Sequence, residues 1–182
     1  MALATLIAAI AIVLDSQILV IGAMILGPEF IAIAALGIAL VLRQWSLFRR
    51  ATTTLLCGFG FAIAVTTCAT LAARGLGWVS VADVTGSRPG TAFIYTPDKW
   101  SFLVALIAAA AGVLSLTSSK ASGLSGVFVS VTTIPAAANV ALGIAFGLPG
   151  EIRGSSLQLA LNIGGMALAG WLTLAAQRLA GR

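Results

Sequence analysis

Two stretches of this chain are long and apolar enough to cross a lipid bilayer as single helices. Residues 51–73 and 155–177 consist mainly of Ala, Leu, Ile, Val and Gly, and a spanning helix needs about 20 apolar residues. A third stretch, residues 17–42, has the length but is interrupted at residues 27–29. In hydrocarbon a lone strand cannot satisfy its backbone hydrogen bonds, so we interpret every apolar stretch as helical.

The composition requires most of the outer surface to face lipid. Hydrophobic residues make up 60% of the 182-residue chain and charged residues 8%, whereas a soluble domain carries roughly 25% charged residues. The net charge of +5 would suggest a nucleic-acid partner in a soluble protein. Here the ten Lys and Arg stand mostly between the apolar stretches, where they direct membrane topology. We therefore expect a lipid bilayer, and no nucleic acid, as a partner.

Three further apolar stretches raise the prediction to about six membrane spans. They cover residues 2–14, 100–116 and 124–148. Residues 2–14 would span only about 20 Å as a helix. Two interpretations remain open for this region. Either a short first helix is followed by a half-helix that folds back over residues 17–26, or residues 3–26 form one span.

The order of elements suggests a duplicated chain. Each half reads as an apolar helix, a polar turn, a Pro-broken segment, a loop and an apolar helix. Residues 36–39 (Leu-Gly-Ile-Ala) recur as residues 142–145, an offset of 106, and Pro28 pairs with Pro135 at an offset of 107. Three spans in each half would place the second half upside down relative to the first, which is an inverted repeat.

The predicted fold class is therefore an all-α polytopic membrane helix bundle of two inverted three-helix repeats, each with a Pro-broken helix. Residues 1–73 form the first repeat, residues 74–99 the connecting loop and residues 100–182 the second repeat. With both termini cytoplasmic, the inside segments hold six basic residues and no acidic ones, as the positive-inside rule favours. We expect a multi-pass protein of the cell membrane. The first residues lack a basic n-region, so we expect the N-terminal segment to be retained.

An enzymatic role is not expected from these residue types. The chain has no His, no base placed beside a nucleophile, and no cluster with metal-ligand spacing, so neither a metal nor a cofactor is predicted. Cys57 and Cys68 are separated along a helix by about 16 Å. A disulfide needs Cα atoms within about 7 Å, so these cysteines cannot bridge each other.

Several motifs resemble one known membrane family. Asp15-Ser16 precedes residues 20–28 (Val-Ile-Gly-Ala-Met-Ile-Leu-Gly-Pro), and residues 126–135 run into residues 141–147; Thr96-Pro97-Asp98 and Asn162 also match. The chain resembles the bacterial and archaeal family catalogued as domain of unknown function 389 over nearly its whole length. That resemblance implies the membrane architecture and no particular activity. The chain departs from the family pattern at Glu29, where apolar residues are usual, and at Ile134, where many members have a second proline.

The two prolines are the first candidates for a site. A proline within a helix removes one backbone hydrogen bond, and in lipid the freed groups must find partners or line water. Gly27, Pro28 and Pro135 would therefore expose carbonyl groups at mid-depth that suit a cation. The alternative is a kink that only shapes packing.

Glu29 is the sharpest single candidate. A charge at the bilayer centre costs from about 3 to above 10 kcal/mol, so a carboxylate there must face a cavity, pair or bind a proton. The alternative is a turn that reaches the headgroups, with Glu29 solvated.

Five more polar residues are candidates for an ion path. For one of them, Asp15, two interpretations are open: with Ser16 it would cap the helix beginning at Gln17, or it would belong to the path. Thr hydroxyls bond to neighbouring turns and Asn side chains bond between helices. The path candidates of this kind are Thr132, Thr133, Asn139 and Asn162.

Two functions remain open from the sequence. The first is a channel or secondary transporter for a small ion or solute, with a midplane site at the two broken helices. The second is a non-transporting membrane scaffold or sensor that associates through Gly-rich helix faces. A homo-oligomer is expected under either hypothesis, because short broken elements are better buried against a neighbour.

Overall fold

The computed structural model describes residues 1–94, 99–117 and 133–180, and within these ranges the chain is helical with no strand. Its elements follow the predicted apolar stretches. They are α1 (Ala2–Val13), α2 (Gln17–Ile25), α3 (Glu29–Leu42), α4 (Trp45–Gly75), α5 (Val81–Thr85), a 3₁₀ turn (Ala92–Ile94), α6 (Lys99–Thr117), α7 (Thr133–Phe146) and α8 (Pro149–Ala180).

The first two helices form a hairpin. The chain turns at Asp15, whose φ of 47° lies in the left-handed region that Asp tolerates better than most residues. The Ser16 Oγ accepts the Leu19 N–H at 3.4 Å and caps α2. Helix α1 packs against α2, so the alternative of one span over residues 3–26 is wrong. The short helix followed by a returning half-helix is the arrangement observed.

The break predicted at residues 27–29 is confirmed. Helices α2 and α3 are bent by 59° at this point, and Pro28 stands immediately before the first residue of α3. Proline lacks the N–H that would continue α2 and fits the start of a new helix. The pair α2–α3 is therefore one bent candidate span.

The junctions that follow α3 and α7 are built alike. Helix α3 ends at Arg43 (φ 54°) and α7 ends at Gly147 (φ 67°). In each case the N–H of the next residue bonds back to a carbonyl five residues earlier, at 2.9 and 2.8 Å, which is the pattern of a Schellman turn. Helix α3 and α7 each have 14 residues, and the helices that follow have 31 and 32. Because α4 begins at Trp45, most of the basic loop expected over residues 43–50 is helical.

Two arginines show where the ends of the long helices lie. Arg74, near the end of α4, donates its Nη1 to the Ala145 carbonyl near the end of α7 at 2.9 Å. Arg178, near the end of α8, donates its Nη1 to the Val41 carbonyl near the end of α3 at 3.3 Å. A cation beside the last carbonyls of a helix is favourable. Each long helix therefore starts beside one short helix and ends beside the other.

This arrangement places α3 and α7 end to end. Helix α4 is about 46 Å long and α3 and α7 are each about 21 Å, so the two short helices together match its length. Their first residues, Glu29 and Thr133, are in contact. The Glu29 end of α3 and the Thr133 end of the described α7 thus meet about halfway along the long helices, and α4 and α8 run in opposite directions beside them.

The described residues confirm only some of the predicted membrane spans. In the described ranges, α4 and α8 are long and apolar enough to cross a membrane, and the bent α2–α3 pair raises the number to three. Helices α1 and α7 are apolar but shorter. The all-helical, membrane-compatible architecture is confirmed, whereas six spans in an inverted repeat are not.

One short helix lies in the segment that connects the halves. Helix α5 starts at a turn in which the Ser80 N–H and Oγ both donate to Asp83 Oδ2 at 2.7 Å. These hydrogen bonds hold the pKa of the exposed Asp83 carboxyl below its ordinary value of 3.8. The connecting segment thus contains a short helix where the sequence predicted a loop.

The Arg74 contact should stabilise the fold more than the Arg178 contact. Arg74 also lies over the Phe146 ring, 5.3 Å from its centroid, and its hydrogen bond is the shorter of the two. We expect Arg74→Leu to lower the free energy of unfolding in mild detergent by about 1 kcal/mol, measured by chemical unfolding. Arg178→Leu is the matched control and should cost less, and an equal or larger loss there would contradict this ranking.

Candidate functional site

The two broken segments meet at a buried hydrogen bond. Thr133 Oγ1 donates to Glu29 Oε1 at 2.8 Å across 104 residues of sequence. Both side chains are 0% exposed. The alternative in which Glu29 is solvated in a turn is therefore wrong, and two of the predicted site residues lie in direct contact.

Helix geometry explains why a carboxylate is tolerated here. The N-terminus of a helix has unpaired N–H groups and roughly half a positive charge. Glu29 is the first residue of α3 and Thr133 is the first described residue of α7, so the start of α3 lies beside this carboxyl group. The hydrogen bond from Thr133 offsets part of the cost of burying a polar group.

The flanking site candidates have separate positions. Gly27 and Pro28 form the break between α2 and α3, where the Gly27 N–H bonds to the Met24 carbonyl at 3.1 Å. Pro135 is buried in the first turn of α7, where helices tolerate a missing N–H, and it does not kink the described helix. Thr132 lies outside the described residues.

Asn139 joins α7 to α8 through hydrogen bonds, as the sequence analysis expects of an Asn side chain between helices. Its Nδ2 donates to Glu151 Oε2 at 2.6 Å and to Ser155 Oγ at 2.8 Å. Its Oδ1 accepts from Arg88 Nη1 at 3.3 Å. Asn139 and Ser155 are 0% exposed, so this amide links three other polar side chains inside the bundle.

An ion pair completes this cluster. Arg88 Nη2 lies 3.2 Å from Glu151 Oε1, with side chains 4% and 18% exposed. Arg88 comes from the connecting segment and Glu151 from the first turn of α8. In the sequence both residues stand in polar segments between apolar stretches, so neither was predicted to be a site residue.

The cluster continues as a buried polar row along α8. Glu151, Ser155, Gln158 and Asn162 follow one another at spacings of four, three and four residues, which places them on one helix face. The last three are at most 1% exposed. The sequence contains this spacing, which would have predicted the row, but Asn162 is the one member that the sequence analysis proposes as a site residue.

Two amides in this row have no hydrogen-bond acceptor among the residues that the structure describes. They are Gln158 Nε2 and Asn162 Nδ2. A buried donor without a partner costs about 1–3 kcal/mol, and such groups in native proteins commonly hold a water or a ligand. These two amides therefore mark a place where a polar molecule would be stabilised.

Asp15 is an anchor for the connecting segment. Its carboxylate accepts the Gly90 N–H at 3.1 Å and the Thr91 Oγ1 hydrogen at 2.9 Å. A Cβ at Gly90 would lie 3.0 Å from the Asp15 carbonyl oxygen, so a larger residue would push the two apart. Because Arg88 stands two residues before Gly90, this contact positions the arginine. Ser16, and not Asp15, caps α2.

Two hollows of the described surface lie away from Glu29. A cavity of about 360 Å³ lies between α1 and α4 and is lined mainly by apolar side chains, with Thr66 and Thr70 as polar exceptions. An open hollow of about 710 Å³ lies on the outer face of α4, beside Arg49 and Arg50. The site is thus defined by side-chain contacts in the packed interior.

These features define an all-helical protein with membrane-compatible helices and a buried carboxyl at the meeting of two half-length helices. The chain belongs to the family described as Domain of unknown function (DUF389), whose model matches residues 24–168. This confirms the resemblance drawn from the motifs. No curated protein matched the chain, and no solved structure did.

Removing one member of the ion pair should be costly. Arg88→Met leaves the Glu151 carboxylate without its cation in a poorly hydrated place. We expect a loss of about 2–4 kcal/mol in the free energy of unfolding, near the lower end of the range for breaking buried pairs because Glu151 is partly exposed. Unfolding in detergent, followed by circular dichroism, measures it. The double variant with Glu151→Met should recover at least half of the loss; no recovery would show that the two groups are not coupled.

Proposed function

We propose that this protein is a channel or secondary transporter for a small ion or solute, with its site at Glu29 and Thr133. The observation that carries the proposal is the buried hydrogen bond between Glu29, at the start of α3, and Thr133 of α7. Broken helices whose ends point at a midplane site are a recurring device of transporters. A carboxyl inside the hydrophobic region is costly and is a functional-site hypothesis by default.

The proposal includes an inverted repeat of the two halves. Three pairs of features support it at a common separation of 104 residues: Glu29 with Thr133, Arg74 with Arg178, and the Arg43 turn with the Gly147 turn. The contacts are reciprocal, because each half supplies the arginine that binds the short helix of the other. This separation differs by two residues from the 106 that the recurring Leu-Gly-Ile-Ala motif suggested.

The chemistry of the site favours a small, positively charged species. Glu29 offers a carboxylate and Thr133 a hydroxyl, both of which bind a proton or a cation. Hydrolytic or redox catalysis has no corresponding group in the contacts described here, so we propose transport rather than enzymatic activity. The cytoplasmic placement of both termini, the cell-membrane location and a homo-oligomeric state remain predictions.

A specific observation favours the second candidate function. Among the described residues, Gly22 and Gly164 have no atom within 4 Å of where a Cβ would lie, so the packing of these residues does not use them. Small residues on an open helix face allow helices of neighbouring copies to approach closely. A scaffold or sensor that assembles through such faces is therefore the alternative.

The decisive test is ion flux in proteoliposomes, with wild type beside Glu29→Gln across a pH gradient. We expect flux in the wild type and at least about a tenfold loss, or loss of its pH dependence, in the variant, because Gln keeps the shape but cannot ionise or take up a proton. Asp83→Asn is the matched control, since Asp83 is an exposed carboxyl far from the site, and its flux should equal that of wild type.

Two outcomes would contradict this assignment. Equal flux in wild type and Glu29→Gln would remove the carboxyl from the mechanism. Absence of flux in correctly folded wild type over a broad panel of ions and solutes would favour the scaffold. In that case Gly22→Leu and Gly164→Leu should change the mass of the complex in mild detergent.

A further inference from the structure

The polar row of α8 leads from one end of the bundle toward Glu29. Helix α8 starts beside the end of α7, and Asn162 lies about 20 Å further along α8. Helix α7 is about 21 Å long and runs back over the same distance to Thr133. Asn162 is therefore near the level of the Glu29–Thr133 contact, while Glu151 is near the end of the bundle.

We propose that this row is a one-sided, water-filled access path that carries protons from Glu151 to Glu29. The inference rests on the proposed function, because it names the proton as the species that reaches the Glu29 site. Two independent observations support it. The row has helical spacing on one buried face, and two of its amides lack an acceptor in the described part of the chain.

The unpartnered amides indicate what occupies the path. Waters between Ser155 and Asn162 would accept from Gln158 Nε2 and Asn162 Nδ2 and would meet the requirement of two to four polar partners. A hydrogen-bonded file of waters conducts a proton without moving an ion. A proton from hydronium at the mouth is taken up by the Glu29 carboxylate, and each water in the file exchanges one O–H bond for another.

The charge distribution favours a proton over a larger ion. Between Ser155 and Asn162 the row contains only uncharged hydroxyl and amide groups, and a metal cation moving along it would need several oxygen ligands to replace its hydration shell. The single carboxyl at the inner end can hold one proton.

Arg88 closes the outer end of the path. Its guanidinium binds Glu151 at 3.2 Å and Asn139 at 3.3 Å, and its backbone is held in place through Asp15 and the Gly90–Thr91 pair. Opening the path therefore requires breaking at least this ion pair and this hydrogen bond. Arg88 acts as a positioning residue for Glu151 and Asn139 and does not itself carry the proton.

Cysteine accessibility tests the path without relying on flux. Gln158→Cys, Asn162→Cys and Ala138→Cys are prepared separately with Cys57→Ser and Cys68→Ser, because both native cysteines are exposed. Ala138 is equally buried on α7 but lies outside the row. Each variant is treated with a membrane-impermeant methanethiosulfonate in intact cells and in inside-out vesicles.

We expect Gln158→Cys and Asn162→Cys to react at least about tenfold faster than Ala138→Cys, from one side only, because thiol reactivity follows water access. The double variant Arg88→Ala with Glu151→Ala should raise both rates further and leave Ala138→Cys slow. Rates equal to that of Ala138→Cys, or reaction from both sides, would overturn the path even if the wild type transports ions. Accessible cysteines in a protein without flux would keep the water path and overturn the proposed function.

A second measurement tests the proton. In proteoliposomes with an enclosed pH-sensitive dye, Gln158→Leu should slow proton uptake at least about tenfold, because the apolar side chain interrupts the water file. Gln177→Leu, on an outer part of α8, is the matched control. Unchanged uptake in Gln158→Leu, or a signal that follows a sodium gradient and not the pH gradient, would overturn the assignment of the proton.

Discussion

The rest of the structure depends on one buried hydrogen bond between two half-length helices. Glu29, the first residue of α3, accepts this hydrogen bond from Thr133, the first described residue of α7. Both side chains are fully buried, where a polar group without a partner is costly. The same contact that joins the two helices also places a carboxyl group inside the bundle.

The ends of the bundle complement this centre. Arg74 and Arg178 place positive charge beside the C-termini of α7 and α3, where the helix dipole is negative. The outer end of each short helix thus receives a cation, and the inner ends are joined by the hydrogen bond between Glu29 and Thr133. These contacts hold the two half-length helices in line.

Sequence reasoning anticipated the centre of this site for a physical reason. A proline after an apolar run must end or bend a helix, so the sequence predicts the break before Glu29, and the structure confirms it. The sequence does not predict the burial of Glu29, because a Gly-Pro-Glu turn fits a solvated loop as well as a buried helix start. Only the contact with Thr133 decided between them. The first helix was ambiguous because thirteen apolar residues fit either a partial span or a half-helix.

The polar cluster was harder to foresee. Arg88 lies in a polar segment and Glu151 beside a Pro-Gly turn, and both patterns are typical of exposed loops. Arg88 is positioned by the long-range contact between Asp15 and the Gly90–Thr91 pair, which no local pattern encodes. The regular spacing of Ser155, Gln158 and Asn162 was present, but Ser and Gln are common on exposed helix faces and carried little weight alone.

The central claim is that α3 and α7 lie end to end, and a spin-label distance tests it most directly. Leu42 and Ile144 are partly exposed near the outer ends of the two helices, and each is replaced by a labelled cysteine with Cys57→Ser and Cys68→Ser. Helices that meet at their N-termini place these labels about 40 Å apart. A distance of about 20 Å or less would mean that the helices lie side by side, and would contradict the account of a shared midplane site.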